Sequence, residues 1–162
     1  MEPNPPCLKK QTALNSDLTV KVVLIIQTIE LRCCDMDVVN LDQVKPFITK
    51  DGSQIRELLA YRNSAIKNQS LAEATVPPAC STDEHYHAKT EEIYFILEGE
   101  GRMRVEDETQ DVRVGDSIAI PPGKKHKLWN TGSSPLRLLC CCAPCYEHLD
   151  TIITESEPSP KN

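Results

Sequence analysis

Three of the four histidines of this 162-residue chain stand where they could share one ion. His85 and His87 flank Tyr86, and on a β-strand residues i and i+2 point to the same face. Two imidazoles can therefore reach one centre from a single strand. Glu92 follows shortly after and offers a carboxylate from the next strand. His126 comes much later, just after the turn Pro121-Pro122-Gly123, on a strand that could face the first pair across a barrel. Three neutral imidazoles and one carboxylate suit one divalent transition metal, Fe, Mn, Ni, Co, Cu or Zn, and the donor set does not choose among them. Four protein donors leave positions open on a metal that prefers five or six ligands, which catalysis at a metal requires. The fourth histidine, His148, lies in an acidic stretch and is expected in solvent.

The elements that would position these donors read as strands. Leu71 to Val76 and Glu92 to Leu97 are rich in β-formers. Arg102 to Val105 alternates polar and apolar, as do Val112 and Val114 around Arg113, and Ile118 and Ile120 around Ala119. His126 to Trp129 and Leu136 to Cys142 add two more. Glu106-Asp107-Glu108, Gly115-Asp116 and Pro121-Pro122-Gly123 punctuate them as turns. Short strands at this spacing predict an all-β sandwich or barrel. One short helix is expected around Ser53 to Ala60.

Two segments carry a family resemblance. His85-x-His87-x4-Glu92-x6-Gly99 resembles the first motif of the cupin superfamily. Gly115-x5-Pro121-x-Gly123-x2-His126-x3-Asn130 resembles the second. The one departure is at the start of the first motif, where a glycine is often found and this chain has Pro77-Pro78-Ala79-Cys80. The resemblance spans about residues 71–142. It implies a small single-domain type-2 cupin, with a jelly-roll (double-stranded β-helix, RmlC-like) barrel bearing short N-terminal helix or strand additions. It also implies His85, His87, Glu92 and His126 as metal ligands. Glu91 and Glu92 are neighbours, so only one can point inward, and the spacing to Gly99 favours Glu92.

The strand pattern places Tyr94, Met103, Val105, Val112, Ile118 and Ile120 inward, around an apolar cavity suited to a small ligand with an oxygen end. Arg62, Asn68, Gln69 and Tyr94 are the polar candidates for its wall. Glu92 is a candidate proton shuttle and Tyr94 a candidate catalytic group. Lys124-Lys125 reads as a solvated turn, or as a charged rim for an anionic substrate. Cys142-x2-Cys145 and Cys80 read as packed thiols. With Glu92 inward, Ile93, Phe95 and Leu97 face out, so something must cover that face. A second copy of the chain is expected there, giving a homodimer.

A net charge of -6 and no basic stripe speak against nucleic-acid binding. The run Val20 to Ile29 is interrupted by Lys21 and Gln27 and is too short to span a membrane, so none is expected as a partner. Adjacent cysteines, Cys33-Cys34 and Cys140-Cys141-Cys142, do not resemble a disulfide framework, and a cytoplasmic location is expected. Residues 1–35 read as a disordered or spurious extension ahead of a start at Met36, or as carrying an extra edge strand over Leu18 to Leu31. Residues 36–150 are expected to form the single domain, and 151–162 a disordered tail. The resemblance implies a metal-dependent enzyme of dioxygenase, decarboxylase or sugar-isomerase type acting on a small oxygen-rich metabolite. The alternative is a non-catalytic small-molecule binder or sensor. The fold alone does not decide between them.

Overall fold

The computed structural model describes residues 36–155. The expectations for residues 1–35 and 156–162 lie outside the described residues. Eleven strands are described: β1 (Phe47–Ile48), β2 (Gln54–Leu59), β3 (Ser70–Val76), β4 (His85–His87), β5 (Glu91–Glu98), β6 (Glu100–Val105), β7 (Glu108–Arg113), β8 (Ser117–Ile120), β9 (His126–Asn130), β10 (Leu136–Ala143) and β11 (Thr151–Ile153). They form two antiparallel sheets, in the orders β1-β2-β3-β10-β5-β8 and β11-β4-β9-β6-β7. This is the two-sheet jelly-roll that the strand pattern and the resemblance imply.

Alternation along each strand explains why the sheets pack. On β5, Glu92, Tyr94 and Ile96 are buried and Glu91, Ile93, Phe95 and Leu97 are exposed. On β10, Leu136, Leu138, Cys140 and Cys142 are buried, with Arg137, Leu139 and Cys141 on the other face. Met103, Val112 and Leu128 meet them from the second sheet. Full burial of a Leu or Ile side chain stabilises by roughly 1.5–3 kcal/mol, so Ile96, Leu128, Leu136 and Leu138 anchor the core.

Two glycines fix turns that no other residue fits well. Gly99, between β5 and β6, has φ +84°, and a Cβ there would lie 2.9 Å from the Pro135 carbonyl oxygen. Gly123 has φ +76°, and its N–H donates to the His87 carbonyl at 2.7 Å. That bond ties the turn ahead of His126 to the strand carrying the other two histidines. Where the first motif lacks its glycine, Ala79 adopts φ +59° and Cys80 N–H donates to the Pro77 carbonyl at 3.2 Å. The turn forms without the glycine, at the cost of a left-handed alanine.

Two expectations are corrected. Ser53 to Ala60 is not a helix, because Gln54–Leu59 is strand β2. Its Gln, Arg, Glu and Leu are good helix formers, yet pairing decides. Ile55 packs on the core, and Arg56 donates to Glu73 of β3 at 3.2 Å. The fold also does not end at residue 150. Thr151–Ile153 is a strand, pairing Thr151 with His87 and Ile153 with His85. β4 is only three residues long, and β11 completes its backbone pairing on the side away from β9.

Glu155 fastens the end of β11. Its carboxylate accepts from Lys127 Nζ at 2.6 Å and from the Glu84 backbone N–H at 2.6 Å. The Lys127 hydrogen bond first, and then the Glu84 N–H, hold its pKa below the ordinary glutamate value. A carboxyl whose folded pKa is lowered contributes stability above its unfolded pKa and loses it as pH falls through the folded one. Glu155→Gln is therefore expected to destabilise the protein near neutral pH but not once pH falls below the lowered value. Denaturant unfolding of both proteins across acid pH tests this; a difference independent of pH would refute it.

Candidate metal centre

The register of the second sheet brings the histidines together. His85 of β4 is directly paired with His126 of β9, and β4 presents His87 on the same face. Glu92 reaches them from β5 in the facing sheet. All four are buried, and one donor atom from each lies within 4.8 Å of the others. The ring centroids of His85 and His126 are 4.2 Å apart.

The hydrogen bonds around the rings orient them. His85 Nδ1 donates to the Asp83 carbonyl at 2.8 Å, and His126 Nδ1 donates to the Lys124 carbonyl at 3.0 Å. A carbonyl only accepts, so these nitrogens carry the hydrogens and leave each Nε2 with a lone pair. Thr151 Oγ1 lies 3.3 Å from His87 Nδ1 and donates to the Tyr146 hydroxyl at 3.2 Å, so it accepts from His87. Burial first, and then the neighbouring His126, lower the His85 pKa and favour its neutral ring.

Glu92 sits among these nitrogens. Its Oε2 is 3.2 Å from His87 Nε2 and 3.6 Å from His126 Nε2, and its Oε1 accepts from Cys142 Sγ at 3.3 Å. At 3.6 Å His126 Nε2 is beyond hydrogen-bond reach, and this buried nitrogen has no partner. A fully buried, unpaired ring nitrogen is costly unless something accepts its lone pair. A cation among these four donors would do so, and the donor set fits a divalent transition metal.

Beside the cluster lies a narrow cavity of about 50 Å³. Tyr94 lines it, and burial keeps its phenol protonated well beyond neutral pH. Met103, Val105, Val112 and Ile118 point inward as expected but line a separate hollow with Lys124, and Ile120 is core. Arg62, Asn68 and Gln69 are exposed and do not line the cavity. Arg62 is held instead by Glu57, Glu147 and the Tyr146 carbonyl. Cys142 and Cys140 do line the cavity, whereas Cys145 donates to the Gln69 carbonyl at 2.7 Å and Cys80 is exposed. His148 and Glu91 are exposed.

Sequence reasoning missed Asp51, Ser53, Tyr146 and Thr151 on the cavity wall. Asp51-Gly52 is a turn signal, but nothing in it says the turn folds into the barrel mouth.

A sequence model described as a cupin domain matches residues 72–142. An uncharacterized protein of Methanocaldococcus jannaschii is 52% identical over 114 residues, covering 70% of this chain and 91% of that protein. The crystal structure of a predicted oxalate decarboxylase from Thermotoga maritima superposes with a TM-score of 0.59 at 27% identity, covering 66% of this chain and 98% of that one. The polyketide cyclase RemF from Streptomyces resistomycificus gives 0.65 at 25% identity, covering 78% and 90%.

The hydrogen-bond pattern predicts the Nδ1–H tautomer for His85 and His126 in metal-free protein. Imidazole nitrogen NMR shifts check it, and Thr151→Val is expected to mix the tautomers of His87 alone. An Nε2–H tautomer at His126 would contradict the orientation described above.

Proposed function

Because the chain belongs to the cupin family, we propose that its barrel is a metal-dependent enzyme acting on a small oxygen-rich metabolite, in the dioxygenase, decarboxylase or sugar-isomerase class. The observation that carries this is the unpartnered Nε2 of His126, buried among His85, His87 and Glu92. These four residues would hold one divalent metal. Once bound, the metal would supply a Lewis acid with open positions for a ligand oxygen. The similarity to proteins described as a predicted oxalate decarboxylase and a polyketide cyclase supports a small-molecule ligand.

The chain's own residues set the conditions for that chemistry. The Asp83, Lys124 and Thr151 acceptors fix the three rings so that each Nε2 faces the same point. Cys142 holds Oε1 of Glu92, which leaves Oε2 turned to the imidazoles. Glu92 can shuttle a proton only if it leaves the metal, because an oxygen that holds the ion has its lone pair committed to it. Tyr94 stays protonated and lines the wall, where its hydroxyl would be open to a ligand. The small cavity favours a second reading, in which the protein binds such a molecule without turning it over. The free thiols of Cys140, Cys141, Cys142 and Cys145 support a reducing, cytoplasmic setting.

The outer face of β5 supports a homodimer. Ile93, Phe95 and Leu97 are 50%, 38% and 36% exposed on one sheet face, next to Leu139 of β10. A second copy would cover these side chains. Sedimentation equilibrium at micromolar concentration should give twice the chain mass, and Phe95→Glu should halve it. A native monomer would refute this interface.

Elemental analysis of protein purified without tag or chelator tests the metal. About one iron, manganese, nickel, cobalt, copper or zinc per chain is expected, with His126→Ala retaining less than a tenth of it. Equal metal in both proteins would place the ion elsewhere. Turnover of dioxygen, keto acids or sugars by loaded protein separates the enzyme from the binder.

A further inference from the structure

The cavity beside the metal cluster has a largely apolar wall, with Phe47, Ile55, Ala72, Cys140 and Cys142, into which a set of acids and hydroxyls is inserted. Asp51, Glu57, Glu92, Ser70, Tyr146 and Thr151 line it, and no Lys or Arg does among the described residues. Two of the three carboxylates are already engaged: Glu57 accepts from Arg62, and Glu92 faces the imidazoles. Asp51 is different. It sits on the turn between β1 and β2, nearly fully buried, and makes no ion pair among the described residues.

Its hydrogen bonds are lopsided. Oδ1 accepts from Thr49 Oγ1 at 2.5 Å, Ser53 Oγ at 2.9 Å and the Ser53 N–H at 3.3 Å. Oδ2 has only the Ser53 hydroxyl, shared with Oδ1, at 3.1 Å. A carboxylate offers about four acceptor positions, so Oδ2 keeps capacity for a donor from the cavity.

The nearby cations are committed elsewhere. Arg62 donates to Glu57, to Glu147 and to the Tyr146 carbonyl. Lys50 Nζ donates to the Thr151 carbonyl at 3.1 Å. With a divalent metal bound, the Glu92 and Asp51 carboxylates balance its two charges and no Lys or Arg among the described residues lines the wall, so a carboxylate ligand would bring an unbalanced negative charge into a low-dielectric space. A hydroxyl ligand would instead find an acceptor there.

Resting on the metal-centred reading above, we infer that the cavity selects an uncharged ligand with a hydroxyl donor, such as a hydroxyketone, and discriminates against carboxylates. Asp51 Oδ2 accepts the ligand's hydroxyl while a carbonyl oxygen of the same molecule faces the histidine cluster. Shared fold with a predicted oxalate decarboxylase therefore does not carry its implied dicarboxylate substrate to this chain.

Hydroxyacetone and pyruvate make a matched pair of probes, differing chiefly in a hydroxymethyl against a carboxylate group. Calorimetric titration of the metal-loaded full chain should show hydroxyacetone binding at least roughly tenfold more tightly than pyruvate, with the ratio falling about tenfold in Asp51→Asn. The native comparison stands on its own if the variant does not fold, because Asp51 also holds its turn. Pyruvate binding as tightly as hydroxyacetone to the native protein overturns the inference, as does an unchanged ratio in a folded Asp51→Asn. Failure of both probes to bind at millimolar concentration overturns it too. Metal assayed in the same samples distinguishes the causes: metal retained with the wrong preference refutes the selectivity alone, and a chain without metal refutes the metal centre and this inference with it.

Discussion

Taking three imidazoles and a carboxylate out of water at one point is the constraint around which the barrel is arranged. Each ring has two nitrogens, and a buried polar atom must find a partner. The fold answers half of the demand with fixed acceptors. The Asp83 and Lys124 carbonyls take two Nδ1 hydrogens, and the Thr151 hydroxyl takes the third. The other half of each ring is directed inward, where His87 Nε2 lies 3.2 Å from a Glu92 oxygen and His126 Nε2 has no partner. A hydrophobic residue at position 126 would relieve that cost, so the arrangement is one of function rather than of stability.

The same demand explains elements with little core of their own. β4 is three residues long and cannot hold its two rings still by itself. It is gripped by β9 on one side and β11 on the other, and the Gly123 N–H binds its His87 carbonyl. β11 in turn is fastened by Glu155 to Lys127 and Glu84, beside the ligand positions on β9 and β4. A C-terminal segment that contributes almost nothing apolar to the core thus orients His87 through Thr151. Precision at a site of this kind depends on such supporting contacts as much as on the donors.

The parts of this arrangement legible in the sequence were those governed by period. Residues two apart share a strand face, so the period puts His85 and His87 together and separates Glu91 from Glu92. Alternation likewise found the limits of most strands from Ser70 to Ala143 within a residue or two. What escaped was set by contacts distant in sequence. Gln54–Leu59 carries helix formers and becomes a strand only because β3 offers it a partner. Thr151–Ile153 looks like tail until His85 and His87 are seen to need a neighbouring strand. Arg62 looked like a ligand group, but Glu57, Glu147 and the Tyr146 carbonyl use its donors first. No local pattern reports whether a charge is already committed.

That last point separates fold from specificity in this protein. The histidine cluster is built from strand positions and is therefore fixed by the jelly-roll itself. Strand residues such as Ile55, Ala72 and Cys140 supply much of the rest of the cavity wall, and the β1–β2 turn and the segment after β10 add Asp51, Ser53 and Tyr146. Loops vary at little cost to the core, whereas strand positions do not. Related chains can then keep one donor geometry while changing the charge of the space beside it. The balance of paired and unpaired groups on that wall, more than the donors they share, decides which molecules of this size can enter.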